Sequence, residues 1–406
     1  MKNLAIKISL YINYFVFAIL LNSVGIVILK SQRNYGVDET QASILEAFKD
    51  MPIAIVSFFI ASFLPRIGYK KAMLSGLGLV SLACIAMYFG NSFNTAKLLF
   101  AAVGASFALI KVSVYSLIGT VAETPKEHNA LMSSIEGVFM IGIALAYFLF
   151  PAFNSGHDPD SWLNVYWLLA LLSMLSFTFL LFTRFEKQEE IPGADIIDDF
   201  FQMIRLMARL LIIVFVISAF LFVMIEQGIM TWLPTFNTKV LHLPENISIM
   251  MASILAVSLA AGRIAAGMLA KRINWIWILS GCIVAAMAVV VFVLPKAIGL
   301  EVREINSFGD IPLIGFVFPL AGLFIAPIYP LLNSVVLSAL PKKLHSPMTG
   351  LIVVFSALGG TLGSWTIGYL FKSQGPENAF YFTLVPMALL LLSIFILKKL
   401  TAGNEI

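Results

Sequence analysis

The chain has 406 residues, of which 60% are hydrophobic and only 12% are charged, and its formal net charge is +4. A soluble globular domain has about 45–50% apolar and about 25% charged residues, so the composition argues against a soluble protein and indicates that lipid is the solvent. The positive charge does not indicate a nucleic-acid partner, because the basic residues stand in short loops between apolar runs. Cys84 and Cys282 lie inside apolar runs of opposite halves and indicate neither a disulfide framework nor a metal site.

The first apolar run, from about Ile8 to Leu29, is too long for the core of a signal peptide and lacks a small-residue cleavage site. It predicts the first membrane helix, since a spanning helix needs about 20 largely apolar residues. Twelve such runs occur along the chain: 8–29, 42–64, 72–90, 96–121, 129–151, 162–184, 208–236, 246–270, 274–294, 311–338, 346–371 and 377–399.

The longest and most polar connection, RFEKQEEIPGADIIDD, follows the sixth run. It predicts an N-terminal six-helix bundle at 1–184, a cytoplasmic linker at 185–207 and a C-terminal six-helix bundle at 208–406. The predicted fold class is therefore an all-α integral membrane protein, with twelve transmembrane helices in two pseudo-symmetric six-helix halves.

The distribution of Lys and Arg predicts the orientation. An even number of spans places both termini on one side, and the cytoplasmic loops carry the excess of basic residues. Of the 26 Lys and Arg, sixteen fall on the side of the termini and seven, Lys30 among them, fall in loops on the other side. We expect a multi-pass protein, in a bacterial inner membrane, with both termini in the cytoplasm.

The two halves are related in sequence. ASFLPRIGYKKAMLSG at 61–76 returns in altered form at 266–281 as AGMLAKRINWIWILSG. Such a repeat at half the chain length is typical of duplicated membrane transporters. Further residues of the first half have counterparts in the second, pairing Tyr115, Pro125, His128 and Gly142 with Tyr329, Pro341, His345 and Gly359.

The loop after the second run and its later copy resemble the Major Facilitator Superfamily, whose members have two six-helix halves around a central cavity. The residues that carry this likeness are Arg66, Gly68, Tyr69, Lys70 and Lys71, and then Gly262, Arg263, Gly267, Leu269 and Arg272. Ala61 and Pro65 stand where the family pattern has Gly and Asp. The resemblance implies that Arg66, Arg263 and Arg272 are structural or gating charges that lock neighbouring helices.

Within that family the second half resembles the fucose:proton symporter group. GRIAAGMLAKR (262–272), PIYPLLNSVVLSAL (327–340) and FSALGGTLGSWTIGYL (355–370) carry this likeness. That group has a carboxylate close to the position of Lys111 and an amide near that of Glu136, so both positions have changed type here.

Charges inside the spans are the strongest candidates for function. An ionisable group at the bilayer centre costs about 2.5–3.5 kcal/mol on insertion scales and usually marks a substrate or proton path. Lys111 and Glu136 lie in neighbouring spans, where we expect either a structural ion pair or a substrate and proton site. Glu46, Lys49 and Asp50 share one helix face. They form either an outer gate, with Asp50 the deepest, or a water-exposed turn from which Lys49 extends.

Glu226 lies in the seventh span beside Gln227 and Gly228, with Pro234 nearby. Gly and Pro in a membrane helix free backbone groups that need a polar cavity. Glu226 is thus a candidate proton carrier, with a polar substrate contact and a structural partner as alternatives. Neutral residues in cavity-type spans are candidate solute contacts or interhelical hydrogen-bonding groups: Asn22, Tyr115, Tyr329, Asn333 and Trp365.

These features predict a secondary transporter that carries a small polar, anionic solute by alternating access. Lys111 attracts the anion, and Glu226, Glu136 or Asp50 couples transport to protons. We find no nucleotide-binding loop, nucleophile elbow or zinc spacing, and so expect no enzyme activity, cofactor or metal. The expected partners are a small molecule, protons and the lipid bilayer, with the protein a monomer. A neutral sugar:proton symporter and a proton-driven exporter of amphipathic compounds or siderophores are the alternatives.

Overall fold

A computed structural model describes residues 2–121, 125–155, 158–183, 204–270, 272–298, 308–311, 313–338 and 345–402. All regular structure in these ranges is helical. The helices up to the polar connection are α1 (Lys2–Asn22), α2 (Val24–Asn34), α3 (Glu39–Ala42), α4 (Ile44–Ile67), α5 (Tyr69–Gly90), α6 (Phe93–Val121), α7 (Pro125–Phe153) and α8 (Val165–Phe182). Those after it are α9 (Leu210–Lys239), α10 (Glu245–Leu269), α11 (Trp275–Ile298), α12 (Leu313–Val317), α13 (Gly322–Ile325), α14 (Ile328–Ser338), α15 (His345–Gln374), α16 (Pro376–Ala379) and α17 (Leu384–Ala402).

Eleven helical stretches within these described ranges are long and apolar enough to cross a membrane. The first joins α1 to α2, and the tenth predicted run is divided into α12, α13 and α14. α4 occupies the remaining predicted position. The predicted all-α membrane fold is confirmed.

The chain divides into two compact units. One comprises Met1–Tyr35 and Leu45–Asp198, and the other comprises Gly36–Ile44 and Asp199–Ile406. The predicted boundary at 184/185 and most of the linker 185–207 lie outside the described residues. The three predicted domains therefore stay a prediction.

In the first unit, α1 packs closely on α7 and also contacts α6 and α8. A Cβ atom at Gly142 on α7 would lie 2.9 Å from the carbonyl oxygen of Phe15 on α1. Only a residue without a side chain allows the two backbones to approach so closely, which is a common way of joining helices in lipid. α1 is thereby held between its neighbours along most of its length.

The second unit repeats this arrangement. α9 packs most extensively on α15, where Gly359 and Gly363 lie against the carbonyl oxygens of Phe220 and Met224. A side chain at either glycine would collide with that backbone. Gly142 and Gly359, which correspond in sequence, thus join the first and fifth long helices of the repeat in each half.

A short segment with α3 at its centre packs on α15 in the second unit. Asp38 caps α3 by accepting a hydrogen bond from the backbone N–H of Gln41, and Lys372 donates to Asp38 Oδ2 at 2.9 Å. These two groups hold the pKa of Asp38 below its ordinary value. A carboxylate with a lowered pKa stabilises the folded state above its unfolded pKa, and that contribution is lost as the pH falls through the folded value. Glu39 forms a second ion pair with Lys239.

We predict that Gly359→Ala destabilises the second unit, because the new methyl group meets the backbone of Phe220. Overpacking of this kind costs about 1–3 kcal/mol. Gly281→Ala in α11 is the matched control, since no atom lies within 4 Å of the position of its Cβ. Thermal unfolding of the purified variants should show a lower Tm for Gly359→Ala only; equal Tm values would contradict the close approach.

Candidate functional site

α4 carries a buried charge cluster in the first unit. The Lys49 ammonium donates to a carboxylate oxygen of Glu46, three residues earlier, and lies 3.5 Å from Oδ1 of Asp50. The exposed fractions of the three residues are 0% for Glu46, 4% for Lys49 and 6% for Asp50. The alternative of a water-exposed turn with an extended Lys49 is therefore wrong.

The cluster is fixed from outside its own helix as well. Gly104 on α6 lies directly against the carbonyl oxygen of Lys49, so that a side chain at this position would collide with α4. The three ionisable side chains interact at short range in a buried position, so the gain or loss of a proton by one of them affects the other two.

A second polar group lies where α1, α6 and α7 meet. The Tyr115 hydroxyl donates to Glu136 Oε1 at 2.6 Å, and the Lys111 ammonium lies 5.8 Å from the centres of both the Tyr115 and Phe107 rings. A cation over an aromatic face is attracted by the ring quadrupole. One tyrosine therefore contacts the cation with its ring and the carboxylate with its hydroxyl, while a direct Lys111–Glu136 ion pair stays a prediction.

Aromatic rings surround this group. The Tyr14 ring centre lies 6.1 Å from that of Phe107, 6.2 Å from that of Tyr115 and 5.5 Å from that of Phe139. Tyr14 is almost completely buried, whereas Lys111, Tyr115, Phe139 and Glu136 are partly accessible. The arrangement offers a cation and a carboxylate against an apolar wall, and so suits a ligand with both a charge and an apolar or ring surface.

In the second unit Glu226 on α9 pairs with Arg263 on α10, with 3.4 Å between Oε1 and the nearer guanidinium nitrogen. The Glu226 side chain is 15% exposed and that of Arg263 is 35% exposed. Nothing in the sequence reading paired these two residues, although opposite charges in consecutive spans were a usable signal. The pair supports the structural alternative for Glu226 and leaves the proton-carrier prediction open.

The remaining neutral candidates make the following contacts within their own units. Tyr329 stacks on Phe222 at 5.4 Å, and its hydroxyl lies 3.4 Å from Ser356 Oγ. The buried Oδ1 of Asn333 has no hydrogen-bond partner among the described residues. Asn22 donates to the carbonyl of Ala18 in its own helix at 2.9 Å. Trp365 is exposed and stacks on Tyr369.

The structure gives no site contact for the two remaining basic candidates among the residues that it describes. Arg272 is exposed in the turn between α10 and α11, and the side chain of Arg66 lies outside the described residues. Their predicted locking or gating role stays a prediction.

Comparison with known proteins decides the family. The sequence profile of the Major Facilitator Superfamily matches residues 10–301, well over half of the chain. The chain belongs to the Major Facilitator Superfamily. It is a multi-pass membrane transporter and not an enzyme. The comparison with curated protein sequences found no match.

Solved structures of superfamily transporters share this fold at low sequence identity. A bacterial homologue of the human lysosomal transporter Spinster has a TM-score of 0.77 at 12% identity, covering 99% of this chain and 97% of its own. The E. coli fucose:proton symporter FucP has a TM-score of 0.65 at 13% identity, covering 98% and 99%. The nucleoside transporter NupG has a TM-score of 0.74 at 14% identity, covering 96% and 99%. At these identities the likeness establishes the fold alone.

The sequence reading missed one buried cation of this superfamily member. The Lys and Arg distribution predicts Lys30 in a loop, but Lys30 lies in α2 and is 3% exposed. It donates to Asn154 Oδ1 at 2.8 Å, and its ammonium lies 5.9 Å from the Trp162 ring centre. The helix continues four residues beyond it, to Asn34. A hydropathy window ends at the first charge, so it does not reveal that the helix continues within the protein.

We predict that Lys49→Met destabilises the first unit strongly, because it leaves two buried carboxylates without their cation. Removal of one partner from a buried ion pair costs about 3–5 kcal/mol. Lys71→Met, at an exposed site in α5, is the matched control. Thermal unfolding should show a large loss for Lys49→Met and recovery on adding Glu46→Gln and Asp50→Asn; an unchanged Tm for the single variant would show that the cluster carries no such charge.

Proposed function

We propose that this transporter is a secondary active carrier that moves a small polar, anionic solute by alternating access coupled to protons. The observation that supports it most directly is the Lys111 group, in which a cation inside a membrane span faces two aromatic rings and shares Tyr115 with Glu136. A charge at this depth is costly, so its presence argues for a role in binding or coupling.

Lys111 attracts the anionic group of the solute, and Tyr115 positions it. The Tyr115 hydroxyl already donates to Glu136, so an incoming anion competes with Glu136 for that hydroxyl. Protonation of Glu136 removes that competition. Binding of solute and uptake of a proton therefore favour one another, which is the coupling that symport requires.

Asp50 is the second proposed proton site. Its carboxylate lies 3.5 Å from the Lys49 ammonium, and its side chain is 9% exposed. Glu226 is the third, and it pairs with Arg263. The Glu226 side chain is more exposed, at 15%, so Asp50 is the stronger of these two candidates.

A neutral sugar:proton symporter is the second candidate function. Structures similar in fold to this chain include the fucose:proton symporter FucP and a D-xylose–proton symporter. Aromatic rings such as Phe107 and Phe139 also suit the apolar face of a sugar ring. Binding of labelled sugars against organic acids separates the two proposals.

The remaining proposals concern the membrane location, the orientation and the oligomeric state. We place the protein in a bacterial inner membrane with both termini in the cytoplasm, on the basis of the Lys and Arg distribution, and we propose that it works as a monomer.

We predict that Lys111→Met abolishes binding of the anionic solute without unfolding the protein. Purified protein is screened by thermal shift against organic acids and sugars, since a specific ligand at 100 times its Kd stabilises by about 2.7 kcal/mol. The organic acid that raises the Tm of the wild type should not raise that of Lys111→Met, and the unliganded Tm should stay close to wild type.

Lys97→Met, a change at the N-terminal end of α6, is the matched control. A ligand-induced shift retained in Lys111→Met would contradict the proposal, and a shift produced only by sugars would favour the second candidate.

We predict that Asp50→Asn separates solute exchange from proton-driven accumulation. The amide keeps the shape of the carboxyl group but holds no titratable proton, and it leaves the neutral Glu46–Lys49 pair in place. In proteoliposomes, exchange of labelled for unlabelled solute should persist, while accumulation driven by a pH gradient should be lost. Glu377→Gln, at an exposed carboxylate, should retain both; full accumulation by Asp50→Asn would exclude Asp50 as the coupling site.

A further inference from the structure

A groove of about 580 Å³ lies in the first unit, on the opposite side of α1 from the Lys111 group. Tyr11, Phe15 and Val16 line it from α1, and Val138 lines it from α7. Leu172, Leu175, Ser176 and Phe179 line it from α8. Its volume falls within the range of about 300–1,000 Å³ that is usual for ligand pockets.

The groove exists because α7 and α8 pack on α1 from two sides and contact one another little. The Ser176 side chain is small, and this buried residue has no hydrogen-bond partner for its hydroxyl among the described residues. A concave apolar surface left empty loses the dispersion contacts that a filling group supplies. An apolar ligand that fills the groove makes these dispersion contacts, which favour its binding there.

The side chains around the groove indicate that it faces the lipid. Exposed apolar side chains continue from the groove along both helices, including Ile141 on α7 and Leu171 and Met174 on α8. In a chain that spans a membrane such a band faces acyl chains. The hydrocarbon tails of the bilayer are therefore the apolar groups with direct access.

One end of the groove is polar. The Tyr11 hydroxyl donates to Ser134 Oγ at 3.0 Å, and one helical turn earlier Lys7 donates to Glu127 Oε1 at 2.6 Å. Both side chains of this ion pair are partly exposed, at 27% for Lys7 and 37% for Glu127. Tyrosine and lysine at a helix end are typical of the interface where lipid head groups lie. An apolar groove that ends in such groups matches a molecule with a hydrocarbon tail and a polar head.

We propose that this groove binds one acyl chain of a bilayer phospholipid, with the head group beside Lys7 and Tyr11. Tyr14 and Phe17, on the other face of α1, contact the Phe107 ring of the Lys111 group. The bound chain thus supports α1 from the lipid side while α1 carries part of the aromatic wall of the candidate site. The proposal does not depend on which solute the protein transports.

The test uses the full chain in proteoliposomes made from a phospholipid with a photoreactive diazirine in its acyl chain. After illumination, peptide mass spectrometry should find the label concentrated on the groove segments of α1 and α8. Val138→Trp fills the groove and should lower this labelling by about tenfold, as expected from the loss of about two buried methylene contacts. Leu171→Trp, on the exposed rim but outside the groove lining, should label like the wild type.

Labelling that is equal in Val138→Trp and the wild type, or equal at remote exposed residues such as Phe292, would overturn the proposal. Transfer of the label to a second copy of the chain would also overturn it, since a protein surface would then cover the groove. Should Val138→Trp fail to fold, Ser176→Leu fills the same groove from α8 and must lower the labelling in the same way. Thermal unfolding of each variant establishes that it is folded.

Discussion

Backbone-to-backbone contact at glycine is the interaction on which the rest of this structure depends. Lipid supplies no hydrophobic force between helices, so they associate through close packing and polar contacts. Gly142 brings α7 onto Phe15 of α1, and Gly359 brings α15 onto Phe220 of α9. The helices joined in this way carry the candidate chemistry: Tyr14 and Glu136 in one unit, and Phe222 and Glu226 in the other.

The buried charges need this close packing. Glu46, Lys49 and Asp50 lie on a helix that Gly104 of α6 contacts directly at the backbone of Lys49. A loosely packed helix would admit water, which weakens the interactions between these charges. Tight packing keeps the three groups in a medium of low polarity, where the gain or loss of one proton changes the energy of the cluster most.

The fold was predictable from the sequence because its causes are local and repeated. Apolar runs of spanning length require only composition and spacing to be recognised. The domain bounds drawn from the polar stretch and the orientation drawn from Lys and Arg stay predictions. Gly142 and Gly359 were visible as counterparts, and the structure gives them the same contact. The division of the tenth run into three short helices had a usable signal, since Pro319 lies between α12 and α13 and Pro327 lies between α13 and α14.

The candidate site was only partly predictable. Charged residues in the middle of the apolar runs stood out, because lipid makes such residues rare. Their partners did not: the contact of Tyr115 with both Lys111 and Glu136, and that of Glu226 with Arg263, depend on helix rotation, which hydropathy does not report. Hydropathy also fails to reveal that Lys30 is buried, because its burial against Asn154 and Trp162 follows from how the helices pack.

The duplicated scaffold and the unequal charges are best understood together. Both units use the same glycine contact between their first and fifth long helices, so the packing of each half does not require any of the intramembrane charges to be where they are. The first unit nevertheless buries Glu46, Lys49 and Asp50 and places Lys111 beside Tyr115, whereas the charges that the structure describes inside the spans of the second unit include the Glu226–Arg263 pair. Charges that packing does not require, and that lipid penalises, are retained at a net cost in stability. That cost is explained most simply if the first unit holds the proton and the charged end of the solute, while the second supplies a matching frame with its own charges already balanced.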